Sequence, residues 1–272
     1  VSSMVYRMKR NGAGLASICI LSTMVLVMLS STVCLFIGTE DGLRTRYPRQ
    51  IVVDMYTSDQ EEIAQAEAVI AQAIALNKAQ EENELRYRYI DVGAYQEGSQ
   101  MLFDEPYTGG YTIERAGNIR QLLFVPVEDY NRLMGEEEVL EDDEVLIYTT
   151  KMDYPYDTIS FQDYGTFRVK RTVPSFVDNG VDAMQIMPSI FVFVPDTQML
   201  EELLALYNEN YGTIPSSYHN YYGFDLDCER ETKIRIEEEI AAKIAELQNA
   251  GTITSQISIE GAESEREGFY AM

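Results

Sequence analysis

The stretch AGLASICILSTMVLVMLSSTVCLFI, Ala13–Ile37, runs 25 residues without a charge. As a helix it extends roughly 37 Å, enough to cross a hydrocarbon core of about 30 Å with some tilt. Buried core helices of soluble proteins are usually shorter. A cleaved signal peptide would share the basic flank Arg7, Lys9 and Arg10. Its apolar region, however, spans only about 7–15 residues and leads into a small-residue cleavage site, of which no clean example follows here. Neither Cys19 nor Cys34 sits in a lipoprotein signal, because Ile18 and Val33 precede them. The run reads as a membrane helix that stays attached.

Outward from this run the composition changes abruptly. All 45 acidic residues lie after Gly38, so residues 39–272 hold 18 basic against 45 acidic groups, a formal charge of −27 within a chain total of −24. Such a surface repels a polyanion, which makes nucleic acid a poor partner. A single His excludes HExxH zinc sites. None of the six Lys follows a Gly, so the phosphate-binding loop GxxxxGK[ST] is absent and no catalytic or cofactor motif is visible. Cys19 and Cys34 would stand roughly 22 Å apart on one helix, too far to bridge. Cys228 is then the only cysteine of the soluble part, whose stability must come from a core that about 230 residues can supply.

The flanks of the span do not orient it. Arg7, Lys9 and Arg10 before it are matched by Arg44, Arg46 and Arg49 after it. Its hydroxyls (Ser17, Ser22, Thr23, Ser30, Ser31, Thr32) and small residues suit close helix contact in a bilayer, and they suit a lone anchor equally.

Five segments follow: a basic flank at 1–12, the span at 13–37, a juxtamembrane connector at 38–50, a mixed α/β (α+β) domain at 51–260, and a final segment at 261–272. Within the domain, QIVVDMY (50–56) reads as a strand. Ser58 and Glu61 form an S-x-x-E capping box before a helix with Ile63, Ala66, Ile70, Ala73 and Ile74 on one face. LRYRYIDVGAY (85–95) alternates as a strand, and 96–118 is rich in turn residues. IRQLLFVPVEDYNRLMG (119–135) and PSIFVFVPDTQMLEELLALYNENYG (188–212) share a strand–Pro–helix plan, with Gly135 and Gly212 placed to cap the helices. Strands are also expected in DDEVLIYT, at 166–173, 219–227 and 252–259, and a helix at 229–248. Strands and helices interleave throughout, consistent with an α/β or α+β domain, with room for two lobes. The segment AESEREGFYAM turns apolar without a terminator, which suggests a chain that continues.

Chemistry-bearing clusters are weak. EEEVLEDDE (136–144) offers carboxylates to a cation but fits a solvated loop better, and DLDCE (225–229) lacks the Gly and Glu of an EF-hand loop. Nothing in the sequence brings His219 to Cys228 as a thiol nucleophile needs, and no metal site is expected. Nineteen Tyr and no Trp is the stronger anomaly. Tyr107, Tyr111, Tyr154, Tyr156 and Tyr164 fall in loop-like stretches and are candidate ligand contacts, although packing against strand ends explains such residues more simply. The acidic charge would steer cationic amphipathic ligands toward them.

The basic flank and apolar helix with its ILSTMVLV core, the following ED-x-LR-x-RYPR, and the later LLFVPVEDYNRLMG and DDEVLIY segments resemble the permease subunit of bacterial ABC transporters of the FtsX-like (MacB-type) superfamily, most of all the bacitracin-export permeases. The resemblance covers the chain end to end, through loose structural motifs. It implies the seventh of ten membrane helices plus the large extracellular domain before the eighth, in a multi-pass protein of a bacterial cell membrane, so that 1–12 would be cytoplasmic, 51–260 extracytoplasmic and 261–272 the start of a stalk. It further implies a role in antimicrobial peptide resistance and sensing. The partners would be an ABC ATPase subunit carrying ATP and Mg, the other permease helices, a sensor histidine kinase, and a cationic peptide antibiotic or its lipid-linked target. Ala13–Ile37 would then act as a lever with Gly38 and Gly42 as hinge candidates. A permease for lipoprotein release or macrolide efflux shares this plan, and an anchored single-span receptor is the alternative of a different class.

Overall fold

The helix that begins at Ser2 does not stop where the apolar run does. In a computed structural model, described over residues 2–104, 113–181, 187–211 and 215–270, α1 continues from Ser2 to Arg46. The segment Ala16–Leu35 within it, of mean hydropathy 2.3 and with none of its residues buried, is long and apolar enough to cross a membrane. The residues expected to form a connector thus begin as helix. Gly38 and Gly42 each weaken a helix by about 1 kcal/mol without breaking it. The stop comes at Pro48, which disfavours helical geometry at Tyr47 before it. Thr23 and Thr32 donate to the Ile20 and Met28 carbonyls at 2.9 and 2.8 Å, so these two hydroxyls are satisfied by their own helix.

The chain forms two compact units, Val1–Thr45 and Arg46–Met272. The second holds β1 (Ile51–Met55), α2 (Gln60–Leu76), β2 (Glu81–Glu97), β3 (Gln100–Leu102), α3 (Ile113–Ala116), β4 (Ile119–Pro126), α4 (Val127–Met134), β5 (Glu144–Thr149), β6 (Thr158–Phe161), β7 (Gly165–Thr172), β8 (Ser189–Val194), α5 (Thr197–Asn210), β9 (Tyr218–Leu226), α6 (Arg230–Asn249), β10 (Ile257–Gly261) and α7 (Ala262–Tyr270). The mixed α/β class expected from the interleaved patterns is what forms.

Four strands in the order β10-β1-β9-β2, all antiparallel neighbours, make a split βαβ arrangement from β1-α2-β2 and β9-α6-β10. Alternation along β1 sends Ile51, Val53 and Met55 to a core closed by Ile63, Ile70 and Ile74 of α2 and Ile236, Ile240 and Ile244 of α6. The cap of α2 is Asp59, whose carboxylate accepts from the Glu61 and Glu62 amides, and not Ser58 as the S-x-x-E spacing suggests. The Asp59 backbone N–H in turn donates a hydrogen bond to the Thr57 hydroxyl. The strand expected at 252–259 is shorter and later. Residues 254–255 instead bind the buried Glu62 carboxylate through their amides, at 2.7 and 3.2 Å.

Strands β3 to β8 lie between β2 and β9 in the chain. Their pairings run β2-β3-β6-β7-β5-β8-β4 and return to β2, because Ile90–Tyr95 pair with Ile119–Phe124 on the edge opposite β3 and β9. At 17 residues β2 extends beyond the expected 85–95 and serves both parts of the sheet. The two strand–Pro–helix units are neighbours: β4 and β8 pair in parallel from Gln121 opposite Ser189 to Pro126 opposite Val194. Their helices cover opposite faces. Leu122 and Phe124 share a core with Leu200, Leu203 and Tyr207 of α5, whereas Leu123 and Val125 pack with Tyr130 of α4. Gly135 caps α4 in the left-handed region at φ 67°. The expected cap Gly212 lies outside the described residues.

Candidate functional site

The three expected tyrosines among the described residues do not gather into one surface. Tyr154 is buried in the core and donates to the Thr158 carbonyl at 2.9 Å. Tyr164 stacks on Phe167 and donates to Glu202 at 3.0 Å, in a groove it shares with Asp142 and Asp196. Burial, followed by the bond to Glu202, raises its pKa. Tyr156 is the exposed one, 39% accessible, and it lines a cleft of about 430 Å³ with Tyr95, Asn118 and Arg120. Tyr107 and Tyr111 lie outside the described residues. The hinge candidates Gly38 and Gly42 lie within the continuous α1.

The cleft is built where β2 turns into β3 and β4 begins. Gln96 is buried beneath it, its side-chain amide donating to the Gly98 carbonyl at 3.0 Å and its carbonyl accepting from Arg120 Nε at 2.7 Å. Gly98 sits at φ 63°, the left-handed geometry this turn requires. On the wall, the Asn118 amide donates to the Tyr95 hydroxyl at 3.2 Å, and the Arg115 guanidinium lies over the Tyr95 ring at 4.9 Å. Glu97 and Asp153 contribute acidic rims.

A second polar cluster crosses three adjacent strands on the sheet face away from α2 and α6. Asp54 of β1, His219 of β9 and Asp91 of β2 lie in line, with His219 Nδ1 2.8 Å from Asp54 Oδ2 and Nε2 3.2 Å from Asp91 Oδ1. Tyr89 stacks on the imidazole at 4.3 Å and Tyr56 meets it edge-on at 4.8 Å. Gln121 donates to the other Asp91 oxygen at 2.8 Å. Burial opposes protonation of His219, but the bonds to Asp54 and Asp91 outweigh it and hold the pKa at about 9. With both nitrogens engaged, the ring has no lone pair for base catalysis or metal binding. The cluster pins β1, β9 and β2 together.

Cys228 packs beside the core on the α2/α6 face, and burial pushes its thiol up. His219 and Cys228 therefore belong to opposite faces of the sheet. The acidic loop is tied down by basic residues of β7: Glu138 bonds Lys170 and Arg171, and Glu144 bonds Arg168 at 2.8 Å. Asp225 accepts from the Gln50 amide and from Asn83. Lone charges in apolar strands, Asp54 in IVVDM and Arg120 in IRQLLFVP, were the available signals for the two polar sites. What they meet is set by strand order, which no local pattern reveals.

No known family model, curated protein or solved structure matches this chain.

Proposed function

We propose that the chain is part of the permease subunit of an ABC transporter for antimicrobial peptide resistance and sensing, with its α/β domain outside the cell. One observation carries this reading beyond the resemblance of sequence. The chain enters and leaves the domain at one place. Ile51 pairs with Gly261, and the Ala262 amide donates to the Gln50 carbonyl at 2.8 Å, so α7 starts beside the point where the connection from α1 arrives. A domain inserted between two consecutive membrane helices needs this arrangement; an anchored receptor ectodomain does not.

The uninterrupted course of α1 through Gly38 and Gly42 supports a lever, since a continuous helix transmits displacement that a flexible linker would absorb. Under this reading a separate ATPase subunit hydrolyses ATP with its Mg, the other permease helices complete the membrane part, and a sensor histidine kinase shares the assembly. A cationic peptide antibiotic, or its lipid-linked target, meets the acidic outer domain.

Tagged permease extracted in mild detergent from its native cells supplies the test. A co-purifying subunit with ATPase activity is expected. Preparations that are well folded, free of any ATP-hydrolysing partner and recovered with no further membrane helices would instead favour the single-span receptor.

A further inference from the structure

Arg120 is 9% exposed, yet among the described residues no carboxylate pairs with it. Nε binds the Gln96 side-chain carbonyl at 2.7 Å, and Nη1 binds the Gly117 and Ile119 carbonyls at 2.7 and 2.9 Å. These neutral oxygens fix the plane of the guanidinium without cancelling its charge. Nη2 has no acceptor among the described residues, and the side chain lines the 430 Å³ cleft. A buried cation left unneutralised is costly, and a guanidinium held in place with one amino group unused is suited to an incoming oxyanion.

The surroundings choose among oxyanions. Glu97 and Asp153 line the same cleft. They penalise a dianion such as phosphate more than a single carboxylate, and they favour a ligand with an ammonium near its carboxylate. Tyr95 and Tyr156 add aromatic faces, and the Asn118 amide stands on the wall.

We propose that the cleft of Tyr95, Asn118, Arg120 and Tyr156 binds a peptide carboxylate, with Arg120 Nη2 donating to it and Glu97 and Asp153 receiving an ammonium of the same ligand. The anion site stands on this geometry; the choice of a peptide as its natural ligand rests on the transporter reading above. Burial alone lowers the Arg120 pKa, and an arriving carboxylate would reverse that.

The test follows the Arg120 Nε–Hε resonance of the detergent-solubilised full chain labelled with 15N-arginine, assigned by its disappearance in Arg120→Gln. The probes are the dipeptide Ala-Lys, its C-terminal amide, acetate and inorganic phosphate. Ala-Lys should shift the resonance saturably, its amide should bind at least about tenfold more weakly, and acetate should outcompete phosphate. A Glu97→Gln and Asp153→Asn double variant should weaken Ala-Lys but not acetate.

Because Arg120 is buried, Tyr156→Ala provides a variant at an exposed position that should keep the fold and lose affinity for Ala-Lys. Equal binding of Ala-Lys and its amide, no saturable shift with any probe, or phosphate binding tighter than acetate would overturn the proposal. None of these outcomes depends on ATP or transport, so failure of the site and failure of the transporter reading are read separately.

Discussion

His219 carries a charge that the sheet needs at neutral pH and loses in mild alkali. Its ordinary pKa is 6.5 and the folded value is about 9, so between those values the folded chain binds the extra proton. The stabilisation is complete below about pH 6.5 and gone above about pH 9, and a shift of this size is worth at most on the order of 3 kcal/mol. Thermal unfolding of the full chain, followed by tyrosine circular dichroism, should show a midpoint that falls from pH 6.5 to 9. His219→Gln should lower the midpoint at pH 6.5 and flatten the dependence. A wild-type midpoint constant over this range would contradict the imidazolium bridge. At this scale the sequence was least informative. His219 and Arg120 are unremarkable where they stand, and their partners Asp54 and Gln96 come from other strands. For Tyr154 the simpler of its two sequence readings, packing and not ligand contact, agrees with a ring buried in the core despite a loop-like neighbourhood of Pro and Asp.

Among the elements, α1 makes the sharpest demand. Gly42 lies inside the helix, where proline removes a hydrogen bond and costs about 3 kcal/mol or more. If α1 is a lever, Gly42→Pro in the full permease should reduce peptide resistance while immunoblotting shows unchanged membrane abundance. Undiminished resistance would argue against it. Elements were largely legible from periodicity: Ile236, Ile240 and Ile244 of α6 and alternate residues of β4 and β8 face the cores their spacing implies. Boundaries were less so, because caps compete locally. Asp59 displaces Ser58 as the cap of α2, and the short β3 and β6 exist only through pairing with each other and with β2 and β7.

For the whole molecule, the mixed class was readable while the strand order was not. The closure of seven strands through β2 depends on that strand pairing with β4 along Ile90–Tyr95 on one edge and with β9, up to Ile90, and β3, from Tyr95, on the other, a property of long-range pairing. That same topology brings residues 50 and 262 together, the feature that best supports a domain set between two membrane helices. The formal charge of −27 on residues 39–272 belongs to this scale too, as a negative field that attracts cations in general and weakens with salt. The most direct measurement is the susceptibility of native cells to bacitracin, lantibiotics and macrolides with the gene deleted and then restored. The expected result is a several-fold loss of resistance to a peptide antibiotic, with macrolide tolerance unchanged and full recovery on restoring the gene. Unaltered peptide susceptibility in the deletion strain would contradict the assignment.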